Sequence, residues 1–141
     1  MFLVHVNYLA VALCGVLSMV VGFIWYGPLF GKEWMKLVGM KKRKMSDANA
    51  DMPKTYGLMF LCSLLMAYVL AHIEWYAAPG SLTMMIAVKT AIWVWLGFVA
   101  TTGFMKFLTL PEKKPLKLFI IETGYNFVNL VLMGVVFGLL K

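Results

Sequence analysis

Charge is scarce in this sequence. Only 13% of its 141 residues are Asp, Glu, Lys or Arg, and just 6 are acidic. A soluble domain of this size carries about a quarter charged and about half apolar residues. Here the apolar share is 62% and the mean hydropathy +0.85, which excludes a soluble globular class and predicts an integral membrane protein. Cysteine is scarce too: Cys14 and Cys62 each lie inside an apolar run, with no CxxC and no His/Cys spacing suited to zinc or haem. No metal or cofactor is therefore expected, and both thiols read as packing residues. A Gly-rich phosphate loop, a GxSxG elbow, HExxH and a catalytic Cys/His arrangement are all missing, so an enzyme is not expected. The first apolar run has no Lys or Arg before it, and Leu13 ahead of Cys14 is too large for a lipoprotein cleavage site. It is expected to stay as a spanning helix rather than be removed as a signal.

What the sequence does have is four long apolar stretches, at about 4–26, 55–73, 82–104 and 117–140, each able to cross a hydrocarbon core of ~30 Å. The expected fold is an all-α, polytopic membrane bundle forming one domain over 1–141. Gly15, Ser18 and Gly22 in the first stretch, and Ser63, Ala67 and Ala71 in the second, make small-residue faces on which helices approach closely. Trp25 and Tyr26 followed by Gly27-Pro28 place a membrane exit at the end of the first span. Beyond it, Phe30, Trp34, Leu37 and Val38 fall on one side of a helical turn and Lys32, Glu33 and Lys36 on the other, the pattern of a short interfacial helix. The run Lys41, Lys42, Arg43, Lys44 follows. Between two spans it reads more simply as a headgroup and topology signal than as a nucleic-acid patch, so no nucleic-acid partner is expected. Asp51 just ahead of Pro53 marks a helix start, Pro79-Gly80 a tight turn between the second and third spans, and Thr109 to Pro115 a charged turn before the fourth.

Eleven of the 13 Lys and Arg fall in the loop 27–54 or near the third turn, as Lys106, Lys113, Lys114 and Lys117; the other two are Lys89 and Lys141. By the positive-inside rule both loops are cytoplasmic, with the termini and the Pro79-Gly80 turn outside a plasma (inner) membrane. The net charge of +7 suggests anionic headgroups on the cytoplasmic face as the lipid partner.

Four segments carry a family resemblance: VNYLAV at Val6 to Val11, WYGPLFGKEWMKLVG at Trp25 to Gly39, WVWLGFV at Trp93 to Val99, and KLFIIETGYNFVNLVLMG at Lys117 to Gly134. In these the chain resembles, over nearly its whole length, the small four-helix bacterial membrane proteins grouped as domain of unknown function 1761. The resemblance implies four helices and brings no activity and no catalytic residues.

The candidate site lies in the fourth span. At about 100° per residue, Glu122, Tyr125, Asn126 and Asn129 occupy roughly a third of the helix circumference and form one polar stripe. A carboxylate facing lipid costs several kcal/mol, so the stripe must face protein or enclosed water. Lys106 or Lys117 is within reach as a partner of Glu122. Two readings stand. In one, the stripe is a proton or cation site in a small channel or coupled transporter. In the other, it fixes helix register in a non-catalytic accessory or lipid-interacting subunit whose working surface is the segment from Phe30 to Lys44. A second group, His5, His72, Glu74 and Lys89, lies near the opposite surface. Its members read as interfacial anchors, with a Glu74–Lys89 pair or a metal site as alternatives. Gly124, Gly134 and Gly138 lie roughly opposite the stripe. Since four helices barely enclose a cavity, a homo-oligomer with the fourth span at or near its interface is expected.

Overall fold

A computed structural model describes residues 4–39, 52–110 and 115–140, and among these all regular structure is helical. Helix α1 (Tyr8–Ile24) starts where the Asn7 side chain accepts a hydrogen bond from the Ala10 N–H, and it runs on through a widened turn, Trp25–Leu29. Helix α2 (Gly31–Val38) is short and ends at Gly39, whose φ of 78° is the left-handed cap that glycine adopts without strain. Helix α3 spans Met52–Ala77. The third span is made of α4 (Met84–Val94), a second widened segment (Trp95–Ala100) and α5 (Thr101–Thr109). Helix α6 (Leu116–Leu139) is the last. Four continuous stretches are long and apolar enough to cross a membrane: Tyr8–Leu29, Met52–Ala77, Met84–Thr109 and Leu116–Leu139. The all-α, four-span architecture with one short amphipathic helix therefore stands. Lys41, Lys42, Arg43, Lys44, Asp51, Lys113 and Lys114 lie outside the described residues.

One boundary expectation is corrected. Gly27-Pro28 does not end the first helix. Pro28 lacks an N–H and its ring crowds the carbonyl four residues back, so the helix dilates instead of stopping. The Phe30 N–H donates to the Trp25 carbonyl, five residues earlier, at 2.9 Å. A Cβ on Gly31 would collide with the Tyr26 carbonyl oxygen, so the entry into α2 requires glycine.

Helix α6 is the centre of the bundle. It packs on α1 and α4, and it also touches α2, α3 and α5; α3 packs mainly on α1. The predicted small-residue faces are used as expected: Gly15 faces Leu64 and Phe60 of α3, while Ser63 and Ala67 are buried. Gly134 and Gly138 make close contacts within the chain. A Cβ on Gly134 would lie 2.9 Å from the Ala87 carbonyl oxygen, and one on Gly138 would lie 2.8 Å from Met84 Cα, so this face is filled by α4 of the same chain. Leu58, Leu65 and Val69 of α3, with Trp93 and Phe98 of the third span, are exposed. Apolar side chains surrounded by lipid tails need no protein partner.

Candidate functional site

Helices α1 and α6 run antiparallel and are joined by polar contacts along their length. Asn7 Nδ2 donates to the Leu140 carbonyl (2.6 Å), Ser18 Oγ lies 2.8 Å from Asn129 Oδ1, Tyr125 Oη donates to the Ser18 carbonyl (3.2 Å), and Trp25 Nε1 donates to the Ile121 carbonyl (3.0 Å). From the third span, Trp95 Nε1 donates to the Thr123 carbonyl at 2.9 Å. Each widened helical segment thus begins with a tryptophan, and the two indoles hold the carbonyls on either side of Glu122. Widened turns add a residue to the helical turn and re-aim side chains, which is why they recur at functional positions.

The polar stripe of α6 divides. Tyr125 and Asn129 turn to α1, where Asn129 is 1% exposed. Glu122 and Asn126 turn to a cavity of about 300 Å³ between α5 and α6, whose polar lining also includes Thr102 and Lys106. Asn126 Nδ2 donates to the Glu122 backbone carbonyl at 3.0 Å. Of the four stripe residues, Glu122 alone makes no side-chain hydrogen bond among the described residues. Lys106 shares its cavity without forming an ion pair with it. Lys117 is corrected as a partner: five residues before Glu122 it points about 140° away, and its Nζ pairs with Glu33 Oε2 of α2 at 2.8 Å. That bond and the positive charge behind it hold the Glu33 carboxyl below the usual carboxylate range.

Among the aromatic anchors, Trp25 lies 4.7 Å from Phe30 with the rings tilted by 48°, and Tyr26 sits 5.4 Å from Trp34 and 5.3 Å from Tyr125. These rings form a cluster against α6 in place of a simple belt, and Trp25 spends its N–H on the α6 backbone.

The second group does not converge. His5 and Lys89 are exposed, and His72 Nδ1 is bonded to the Tyr68 carbonyl at 2.8 Å. Glu74 is neither an interfacial anchor nor paired with Lys89. It is 1% exposed, and neither carboxyl oxygen has a hydrogen-bond partner among the described residues. The reason is its place on the buried stripe of α3, Ser63, Ala67, Leu70 and Glu74, which recurs at helical spacing. That periodicity was the available signal for its burial. The paired indole contacts of Trp25 and Trp95 left none beyond the presence of tryptophan.

Four spanning helices with a carboxylate-lined cavity beside the central one make this a small polytopic membrane bundle. Within that class the chain belongs to the family described as protein of unknown function (DUF1761), which it matches over residues 9–138. No curated protein and no solved structure matches it.

Proposed function

We propose that this protein is a small proton- or cation-coupled transporter or channel, acting without an enzymatic step, with Glu122 as its titrating group. The observation that carries this reading is the state of Glu122: a carboxyl side chain on a spanning helix, uncommitted to the fold, facing a cavity that also exposes Asn126, Thr102 and Lys106. Ionisable groups placed inside a membrane are costly and are retained where they serve a path or relay. The orientation that fits is the positive-inside one, with the Trp25 end of the bundle on the cytoplasmic face of the plasma membrane beside anionic headgroups and both termini outside. A homo-oligomer belongs to this reading, since four helices of this length barely enclose a cavity.

A second reading has its own support. Tyr125, Asn126 and Asn129 all spend hydrogen bonds inside the bundle, as residues of a structural stripe in an accessory or lipid-interacting subunit would. Ion and proton flux in liposomes holding purified wild-type or Glu122→Gln protein separates the two. Flux by the wild type that falls at least tenfold in a correctly assembled mutant supports transport. Equal behaviour of both proteins, with no flux in either, supports the accessory role.

A further inference from the structure

Glu74 lies toward the other end of the bundle from the Glu122 cavity, three residues before the end of α3. It is among the largest fully buried side chains of the protein, and both its oxygens lack a partner among the described residues. It sits close enough to the Cys14 thiol for the two to interact electrostatically. On the facing helix α1 the buried side chains are Ala10, Val11, Cys14 and Ser18, of which the last two bring a thiol and a hydroxyl one turn apart. Ser18 Oγ has one proton and two acceptors at 2.8 Å, the Cys14 carbonyl and Asn129 Oδ1. With the Asn129 amide turned over, its Nδ2, which otherwise has no partner among the described residues, donates to Ser18 Oγ and frees the hydroxyl proton for the Cys14 carbonyl. On α6, Tyr125 follows Asn129 one turn back on the α1 side, while Asn126 and Glu122, also a turn apart, face the cavity.

We propose that Glu74 is a second proton-binding site, at the Asn7 end of the bundle and away from the Glu122 cavity, so that the coupling ion is a proton rather than a metal cation. The inference rests on the transport reading of Glu122. What selects the proton is the lack of a metal-ligand group: among the described residues no cluster of three or more His, Cys, Asp or Glu is present. Hard cations such as calcium and magnesium need about six oxygen ligands, whereas Glu74 supplies two and its titratable neighbour is a thiol. The groups that face it are few. Helix α1 brings Cys14; on α4 the one charged group is Lys89, which is exposed; the α6 segment beyond Asn129 has no titratable side chain among the described residues; and His72 of its own helix is bonded to Tyr68. Burying a charge without a hydrogen-bond partner is costly, and a bound proton removes that charge.

Infrared spectroscopy of the full-length protein in liposomes at neutral pH tests this directly. The wild type is expected to show the carbonyl band of a protonated carboxylic acid, which disappears in Glu74→Gln and persists in Glu122→Gln. Raising the pH should bleach the band, and adding sodium, potassium or calcium chloride at fixed pH should leave it unchanged. Absence of the band in the wild type, its survival in Glu74→Gln, or its loss on adding a metal salt at constant pH would each overturn the proposal. If Glu74→Gln does not fold, Glu74→Asp keeps the acid and must shift the band; an unshifted band counts against Glu74. An intact band without flux removes the transport reading and leaves the proton site, while flux without the band removes Glu74 and leaves Glu122.

Discussion

The two halves of α6 are built on different terms. Beyond Asn129, the side chains or backbone at Leu130, Met133, Gly134, Phe137 and Gly138 are all buried, and Gly134 and Gly138 bring the helix backbone against that of α4. Before Asn126, burial is broken by Glu122, which opens to the cavity, and the helix is held by isolated polar contacts: two indoles, one ion pair and a tyrosine hydroxyl. Both widened segments belong to this half: Trp25 and Trp95, the first residue of each, bond the α6 carbonyls on either side of Glu122. Interdigitated packing at one end fixes the register of α1, α4 and α6. At the other end, directional hydrogen bonds hold a helix in place while leaving space beside its carboxylate.

Glycine substitution gives the largest separation of the two halves. In Gly134→Val the new side chain meets the Ala87 carbonyl and the Ala91 Cβ, at 2.9 and 3.2 Å for Cβ alone, and backbone cannot yield as a flexible side chain does. Overpacking of this kind costs about 1–3 kcal/mol. Thermal unfolding in detergent, followed by circular dichroism, should show a clearly lowered midpoint. Gly97→Ala, in the widened segment of the third span, has nothing within 4 Å of its Cβ. Its midpoint should hold or rise, with the helix propensity of alanine contributing up to about 1 kcal/mol. Equal losses at the two positions would erase the distinction between a packed and an open half.

Removing one indole at a time has a smaller effect. Trp25→Phe and Trp95→Phe keep an aromatic ring but delete the N–H donated to Ile121 or Thr123 together with part of the indole. The loss should be about 0.5–1.5 kcal/mol each. Because the two donors come from different spans and grip different carbonyls, the double variant should lose close to the sum in the same unfolding measurement. A double loss well above the sum would mean that the two indoles act as one clamp on the Glu122 segment.

Much of the packed half is legible from residue order alone. Small residues at three- and four-residue spacing announce close approach, and Gly15, Ser18, Ser63 and Ala67 are used that way. What spacing does not reveal is the neighbour. Gly134 and Gly138 read equally well as a subunit contact, and only the position of α4 decides for an intramolecular one. The polar stripe was legible as a stripe, but its division between α1 and the cavity depends on where neighbouring helices stand around α6. Lys117 misled because reach along the helix axis was weighed without the angle about it. Glu74 misled for the opposite reason: nearness to a helix end suggested the surface, although the angle placed it on the buried stripe.

The ion pair of Glu33 with Lys117 is the weakest tie of the open half and has the smallest expected effect. Both side chains are about half exposed, at 47% and 58%, so the contact gains little and salt screens it. Its pH dependence still has a definite sign. Bonding to Lys117 lowers the Glu33 carboxyl below its usual range in the folded protein, so the folded state holds its negative charge to lower pH than the unfolded chain does. The contribution is therefore present in full above the ordinary glutamate range and is lost as pH falls through the lowered value. Since α2 also carries Trp34, packed 5.4 Å from Tyr26, its docking on α6 can be followed by tryptophan emission. Comparison with Trp34→Phe isolates that signal. Acidification should produce a small emission change in the wild type, absent from Glu33→Gln and diminished in high salt. A transition of the same size in Glu33→Gln would mean that the aromatic contacts alone seat α2, and that the open half relies still less on charge than its two indoles suggest.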